Sequence, residues 1–172
     1  MAQLGPNSHR VEQGNIPLEK MGQGAEQKRS QMMSRIRSKN TKPELNLRRQ
    51  LFSLGFRYRL HSAKLPGSPD IVLPKYKAVI FVHGCFWHRH NDCAYTTNPK
   101  SNEDFWLKKF NQNIKRDRKN RDDLIDLGWR VGLVWECALR NSVERTSEKV
   151  KEWLNTDECF LDLGINDLVT GP

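Results

Sequence analysis

Residues 65–73 read Leu-Pro-Gly-Ser-Pro-Asp-Ile-Val-Leu, and residues 78–93 read Ala-Val-Ile-Phe-Val-His-Gly-Cys-Phe-Trp-His-Arg-His-Asn-Asp-Cys. Asp70 opens the apolar run Ile71–Leu73. A polar turn from Pro74 to Lys77 follows, and Ala78–Val82 is a second apolar run. The spacing predicts two buried strands joined by a tight connection. His83, Cys85, His88, His90 and Cys93 crowd the exit of the second strand. A strand end is a rigid platform for chemistry. This density of carboxylate, imidazole and thiol marks a metal-dependent active site with a second, structural metal site beside it.

Upstream, Thr41-Lys-Pro-Glu44 has the form of a capping box, with Thr41 at the N-cap, Pro43 in the first turn and Glu44 at the third position. A helix follows with Leu47, Leu51 and Leu54 on one face, ending at Gly55. Phe56, Tyr58 and Leu60 then alternate with Arg57 and Arg59, as in a half-exposed strand. Downstream, the pattern predicts a long helix from about 102 to 127, with Ser101 as its cap and Leu107, Phe110, Ile114, Leu124 and Ile125 buried. Its many Lys and Arg, and Asp117, Asp122 and Asp123, are placed on the outward side. Trp129, Val131, Leu133 and Trp135 alternate along another strand, with Cys137 just past its end. A last helix around 147–154 buries Val150, Trp153 and Leu154.

The order helix, three strands, long helix, strand, helix predicts an α/β domain whose mixed sheet is flanked by helices. We delimit it at residues 29–155, between an N-terminal extension (1–28) whose Gly, Gln and Asn predict disorder and a tail (156–172) with weak signals. At 172 residues the chain can bury a core without staples. It has neither a membrane-length apolar run nor a signal-peptide core, which predicts a cytoplasmic protein with no membrane partner.

The formal charge is +9. From Lys28 to Lys64 there are eleven Lys and Arg against one acid, Glu44, so the whole excess lies in the segment leading into the site. A focused cationic field fits a polyanion such as nucleic acid; a solvated basic helix face is the plainer reading. Within residues 29–40, Met32, Met33 and Ile36 are the apolar groups. They suit either an arm that orders on nucleic acid with an inserted Met or a helix packed on the core.

Cys85-x4-His90-x2-Cys93 offers three ligands on one short loop, and a closed zinc site needs four in a tetrahedron. Cys137 at a neighbouring strand end is the natural fourth, with Cys159 the competitor and a Cys85–Cys93 disulfide the alternative chemistry. Asp70 can hold Mg²⁺ against a phosphate, with a backbone carbonyl such as that of Val82 completing an oxygen-rich site. A neutral imidazole, His88, can take the proton of an attacking water. Phe86-Trp87, expected on an exposed loop, reads either as a wedge that stacks into an opened base step or as packing over the zinc loop.

Leu65–Asp70, Val79–His88, Asn113-Ile-Lys-Arg-Asp117, Gly128–Val131 and Val134–Arg140 closely resemble the very short patch repair (Vsr) mismatch endonucleases over residues 29–155. The resemblance implies a restriction-endonuclease-like fold with catalytic Mg²⁺ and structural Zn²⁺. It also implies a strand-specific nick 5′ of the thymine in a T:G mismatch left by 5-methylcytosine deamination. It implies Mg²⁺ on Asp70 and the Val82 carbonyl, His88 as general base with Glu44 orienting it, and His83 assisting at the phosphate. Zinc would sit on Cys85, His90, Cys93 and Cys137, and Met33, Phe86 and Trp87 would intercalate. Phe81-Val82-His83 stands where related nucleases carry a second acid and a lysine. The His90–Cys93 gap is longer than the family pattern, which leaves His88 beside His90 as the loop's ligand. The expected setting is a bacterial, nucleoid-associated monomer on double-stranded DNA, linked functionally to a cytosine-5 methyltransferase and to mismatch-repair proteins. The competing readings are a restriction-like nuclease on paired DNA and a non-catalytic zinc-dependent binder of distorted DNA.

Overall fold

The computed structural model describes residues 39–168; Met33 and the rest of the N-terminal extension lie outside them. Helix α1 (Lys42–Ser53) begins at Thr41 and ends before Gly55, whose φ of +90° suits a residue without a Cβ. Leu47 and Leu51 are fully buried. The reciprocal bonds of a capping box do not form. Glu44 reaches back to the Asn40 N–H at 2.8 Å, but the Thr41 hydroxyl donates to Glu44 at 2.9 Å instead of accepting from the backbone. The reason is burial: Glu44 is 3% exposed, and a carboxylate taken from water needs every donor nearby.

Phe56 is buried and Tyr58 half-buried, as the alternation requires, but only Arg59–Leu60 pair as strand β1. Strands β2 (Ile71–Leu73) and β3 (Ala78–His83) form an antiparallel pair across a one-turn 3₁₀ helix, Pro74–Tyr76. A single helical turn, α2 (Cys85–His88), follows β3 where a loop is expected. Helix α3 (Glu103–Asp126) then leads to β4 (Arg130–Trp135). In α3, Phe110, Asn113 and Leu124 are buried while Leu107 is 60% exposed, a correction to the expected stripe. Residues 106, 110, 113, 117 and 124 step by three, four or seven and share the inner face, and Leu107 lies about 100° away from 106.

The expected last helix is α5 (Val143–Leu154), preceded by an additional short helix, α4 (Glu136–Asn141); between them stands Ser142, whose hydroxyl accepts from the Arg145 N–H at 3.1 Å. The sheet also runs past residue 155, into the stretch read as a tail. Strand β5 (Phe160–Leu163) pairs parallel with β4. It is a four-residue edge strand carrying Asp162, too short and too polar for a periodic signal.

The order is β1-β2-β3-β4-β5, with β1, β2 and β3 antiparallel in turn and β3, β4 and β5 parallel. One face packs Ile71, Leu73, Ile80 and Val134 against Leu47 and Leu51 of α1 and Val150 and Trp153 of α5. The other packs Val72, Val79 and Val131 against Leu124 of α3. The result is a mixed sheet between helical layers. Among the described residues no helix is long and apolar enough to cross a membrane.

Leu163 is 2% exposed within the main core. Leu163→Ala should therefore cost about 2–5 kcal/mol in urea unfolding, the range for a buried leucine. A loss within about 0.5 kcal/mol, as for a surface change, would show that β5 is no part of the cooperative unit.

Candidate active site and metal centre

The parallel pairing of β3 and β4 ends on the pair His83 and Trp135. Two residues beyond each stand Cys85 and Cys137, both fully buried. One turn later His90 turns its Nδ1 toward them, 3.3 Å from the Cys137 sulfur and 3.8 Å from that of Cys85. With Cys93 these residues bring four ligand atoms within 4.8 Å of one another. Burial pushes the thiols of Cys85 and Cys137 above their ordinary range, and each also feels the neighbouring thiols. The Cys137 N–H donates to the Cys85 sulfur and the Ile165 N–H to the Cys137 sulfur. A crowded set of thiols with an imidazole and N–H donors aimed at sulfur fits a tetrahedral soft cation. Cys159 is exposed, and His88 points elsewhere. All four cysteines are free thiols.

The segment after β4 and β5 closes this centre. The His90 ring stacks on Trp135 at 4.2 Å, and the Trp135 indole N–H donates to Asp162 of β5 at 2.5 Å. A Cβ on Gly164 would lie 2.6 Å from the His90 ring, so only glycine fits there.

The β3 exit carries a second cluster in the same cleft. His83 is buried and its ring stacks on His88 at 3.8 Å, 11° from parallel. Burial first, and then His88, lowers the His83 pKa to about 3, which keeps it neutral. His88 Nδ1 is 2.5 Å from Asp117 of α3. Burial opposes the charge of Asp117, but the hydrogen bond from His88, with the Arg116 guanidinium beside it, outweighs it and holds the carboxyl below its ordinary value. With Nδ1 donating to Asp117, the His88 Nε2 lone pair is left as an acceptor. A cleft of about 390 Å³ lined by His83, His88, Asp117, Arg118 and Arg121 opens this pair toward solvent.

Asp70 stands where β2 begins. Its Oδ2 accepts from the Val82 N–H at 2.8 Å, and its Oδ1 lies 3.8 Å from His61 Nδ1. Burial, with a smaller push from Glu44, raises its pKa to about 6. Glu44 does not orient His88, a correction to the expected pairing. Its carboxylate accepts from Asn40, Thr41 and Arg48, the last at 3.0 Å. The expected exposed loop at Phe86-Trp87 is corrected as well. Both rings are half-buried on α2, 5.1 Å apart, and meet Trp106 of α3, with Phe110 behind Phe86.

A family model described as DNA mismatch endonuclease Vsr matches residues 23–95. The type II nicking enzyme V.NmeAIP of Neisseria meningitidis is 50% identical over 128 residues, 73% of this chain and 91% of that protein. The type II nicking enzyme V.XorIIP of Xanthomonas oryzae is 48% identical over 113 residues, 66% of this chain and 82% of that one. The DNA mismatch endonuclease Vsr of Escherichia coli is 42% identical over 130 residues, 73% and 83% of the two chains. The chain belongs to the Vsr family of DNA mismatch endonucleases.

For a Vsr endonuclease, a hydrolase of DNA, the residues that pattern reading overlooked are instructive. Asp117 lies four residues from Asn113 and seven from Leu124, on the buried stripe of α3; an acid on an apolar face was the available signal. Arg48 is one turn from Glu44 and buried with it. Asp162, Gly164 and Ile165 lie in the stretch read as a tail, and His61 carried no pattern at all.

The raised Asp70 pKa has a stability consequence. The metal-free folded state binds this proton more tightly than the unfolded chain, so its contribution is fully present below about pH 4 and is lost as pH rises through about 6. Above that, holding the carboxylate ionised costs about 3 kcal/mol. Asp70→Asn should therefore raise the unfolding free energy of the metal-free protein at pH 8 by ~1–3 kcal/mol, and the gain should vanish near pH 4. Urea unfolding at the two pH values checks this; an equal effect at both would refute the linkage.

Proposed function

We propose that this Vsr endonuclease hydrolyses the phosphodiester 5′ of the thymine in a T:G mismatch arising from 5-methylcytosine deamination, nicking one strand with catalytic Mg²⁺ and structural Zn²⁺. The observation that carries the chemistry is the Asp117–His88 pair, stacked on neutral His83 and open to solvent through a cleft with arginines in its wall. Asp117 holds the His88 proton on Nδ1, so Nε2 can accept a proton from an attacking water. Being buried and uncharged, His83 offers a hydrogen bond to phosphate or its hydration without competing for that proton. Glu44 serves the site through Arg48 rather than through His88.

The Mg²⁺ assignment to Asp70 and the Val82 carbonyl is supported by strand geometry. The N–H and C=O of one strand residue point to the same side, and the Val82 N–H already reaches Asp70. Bound there, Mg²⁺ would supply Lewis-acid polarisation of the scissile phosphate. The donor set Cys85, His90, Cys93 and Cys137 fits Zn²⁺. It would lock α2 and its neighbours to the end of β4. Phe86 and Trp87, backed by Trp106 and Phe110, form a firm aromatic edge suited to prising open a base step beside the mismatch; Met33 would join them. Lys42, Arg49, Arg57, Arg59 and Lys64 are exposed and suit phosphate contacts. We read the sheet as restriction-endonuclease-like, within a domain running from about residue 29, and the protein as a monomer whose flanking-sequence preference mirrors a companion cytosine-5 methyltransferase.

Elemental analysis of the protein purified without added metal should give one zinc per chain. Cys137→Ser should lose it and unfold at markedly lower temperature, because structural zinc sites couple binding to folding. Retained zinc in that variant would reject the fourth ligand.

The decisive assay is strand-resolved cleavage of end-labelled duplexes with Mg²⁺, carrying T:G mismatches in varied flanks beside matched T:A and C:G controls. One nick 5′ of the mismatched thymine is expected, slowed by ~10²-fold or more in Asp70→Asn and His88→Ala. Cleavage of both strands of matched duplex would move the protein to the restriction class. Tight mismatch binding with no cut in any flank would make it a binder of distorted DNA.

A further inference from the structure

Of the seven described Lys and Arg between Lys39 and Lys64, six are exposed and one is buried. Arg48 has its side chain 5% exposed and points at the site rather than at solvent. Its Nη1 donates to Asn40 Oδ1 at 2.6 Å. Its Nη2 lies 3.0 Å from Glu44 Oε2, 3.0 Å from His61 Nε2 and 3.4 Å from the Asp70 carbonyl. Nη2 carries two protons, and the two short contacts account for both.

A guanidinium has no acceptor, so the His61 nitrogen facing it must be the unprotonated one. A neutral imidazole that accepts at Nε2 carries its proton on Nδ1. That Nδ1 is the atom 3.8 Å from Asp70 Oδ1. The distance exceeds a hydrogen bond, so the Oδ1 lone pairs stay free while an N–H donor stands just behind them. The other oxygen, Oδ2, is already held by the Val82 N–H. His61 keeps this orientation at φ +46°, a left-handed conformation that histidine adopts seldom and that surrounding contacts must enforce.

We propose that Arg48 and His61 are positioning residues for the Asp70 carboxylate. Arg48 fixes the Nδ1–H form of His61, and that N–H aims and steadies Oδ1 for the divalent cation. Carboxylate ligands are routinely oriented by outer donors, and here the donor acts on Oδ1 electrostatically from 3.8 Å. Here the device is a buried arginine locked by Glu44, so a disturbance at Glu44 reaches Asp70 through two side chains. The inference rests on the reading of Asp70 as the Mg²⁺ ligand.

The test uses the full chain with His61→Ala, His61→Gln and Arg48→Met. Long-range ¹H–¹⁵N spectra of the metal-free wild type at pH 8 should show His61 protonated on Nδ1, and Arg48→Met should shift it toward Nε2–H. In Mg²⁺ titrations of nicking, His61→Ala should need about 10–100-fold more Mg²⁺, with its mismatch affinity in EDTA unchanged. His61→Gln should recover most of this loss, because an amide carries both the acceptor for Arg48 and a donor for Asp70. An Nε2–H wild-type His61, an unchanged Mg²⁺ requirement in His61→Ala, or equal impairment of the Ala and Gln variants would overturn the proposal. If Asp70→Asn nicks normally, the Mg²⁺ reading has failed instead. The tautomer spectra still decide the Arg48–His61 arrangement, and the His61 variants remain decisive if Arg48→Met does not fold.

Discussion

The parallel ladder between β3 and β4 is the constraint on which this site depends. Backbone hydrogen bonding sets His83 beside Trp135, and from that pair everything local follows by small offsets. Two residues further on, Cys85 and Cys137 meet at the head of the thiol cluster. His83 itself stacks on His88. A slip of one residue would send each of these side chains to the opposite face, and both centres would be lost together. The thiol cluster and the stacked histidines are therefore two consequences of one register.

Burial does the electrostatic tuning. His83 and Asp70 are both held toward their neutral forms, mainly by desolvation, while Asp117 keeps its charge because His88 and Arg116 surround it. An acid kept anionic beside an imidazole, and another acid made uncomfortable when ionised without a cation, are what metal-assisted hydrolysis of a phosphodiester uses. The stability given up at Asp70 is an instance of the usual tension between activity and folding.

The aromatic cluster shows how one feature can satisfy two readings. Phe86 and Trp87 are half-buried against Trp106 and Phe110, so they do pack over the metal-bearing turn. The same packing holds the two rings at a fixed angle to each other.

Local pattern by itself determined the strands around Asp70 and Val82, helix α1, helix α3, the position of Cys137 at a strand end, and the grouping of Cys85, His90 and Cys93 on one short stretch. These are legible because alternation, helical spacing and loop-ligand spacing are short-range properties of the chain. Tertiary structure alone decided which acid serves His88. Glu44 and Asp117 are equally plausible on paper, and only the packing of α3 across the β3 exit brings Asp117 within 2.5 Å while Arg48 takes Glu44. It also decided that β5 joins the sheet and that Gly164 and Ile165 close the metal centre, since an edge strand of four residues takes its stability from its neighbour rather than from its own sequence. The difference is physical: periodicity records what a segment buries, whereas a charged side chain's partner is chosen by whichever element the fold lays across it.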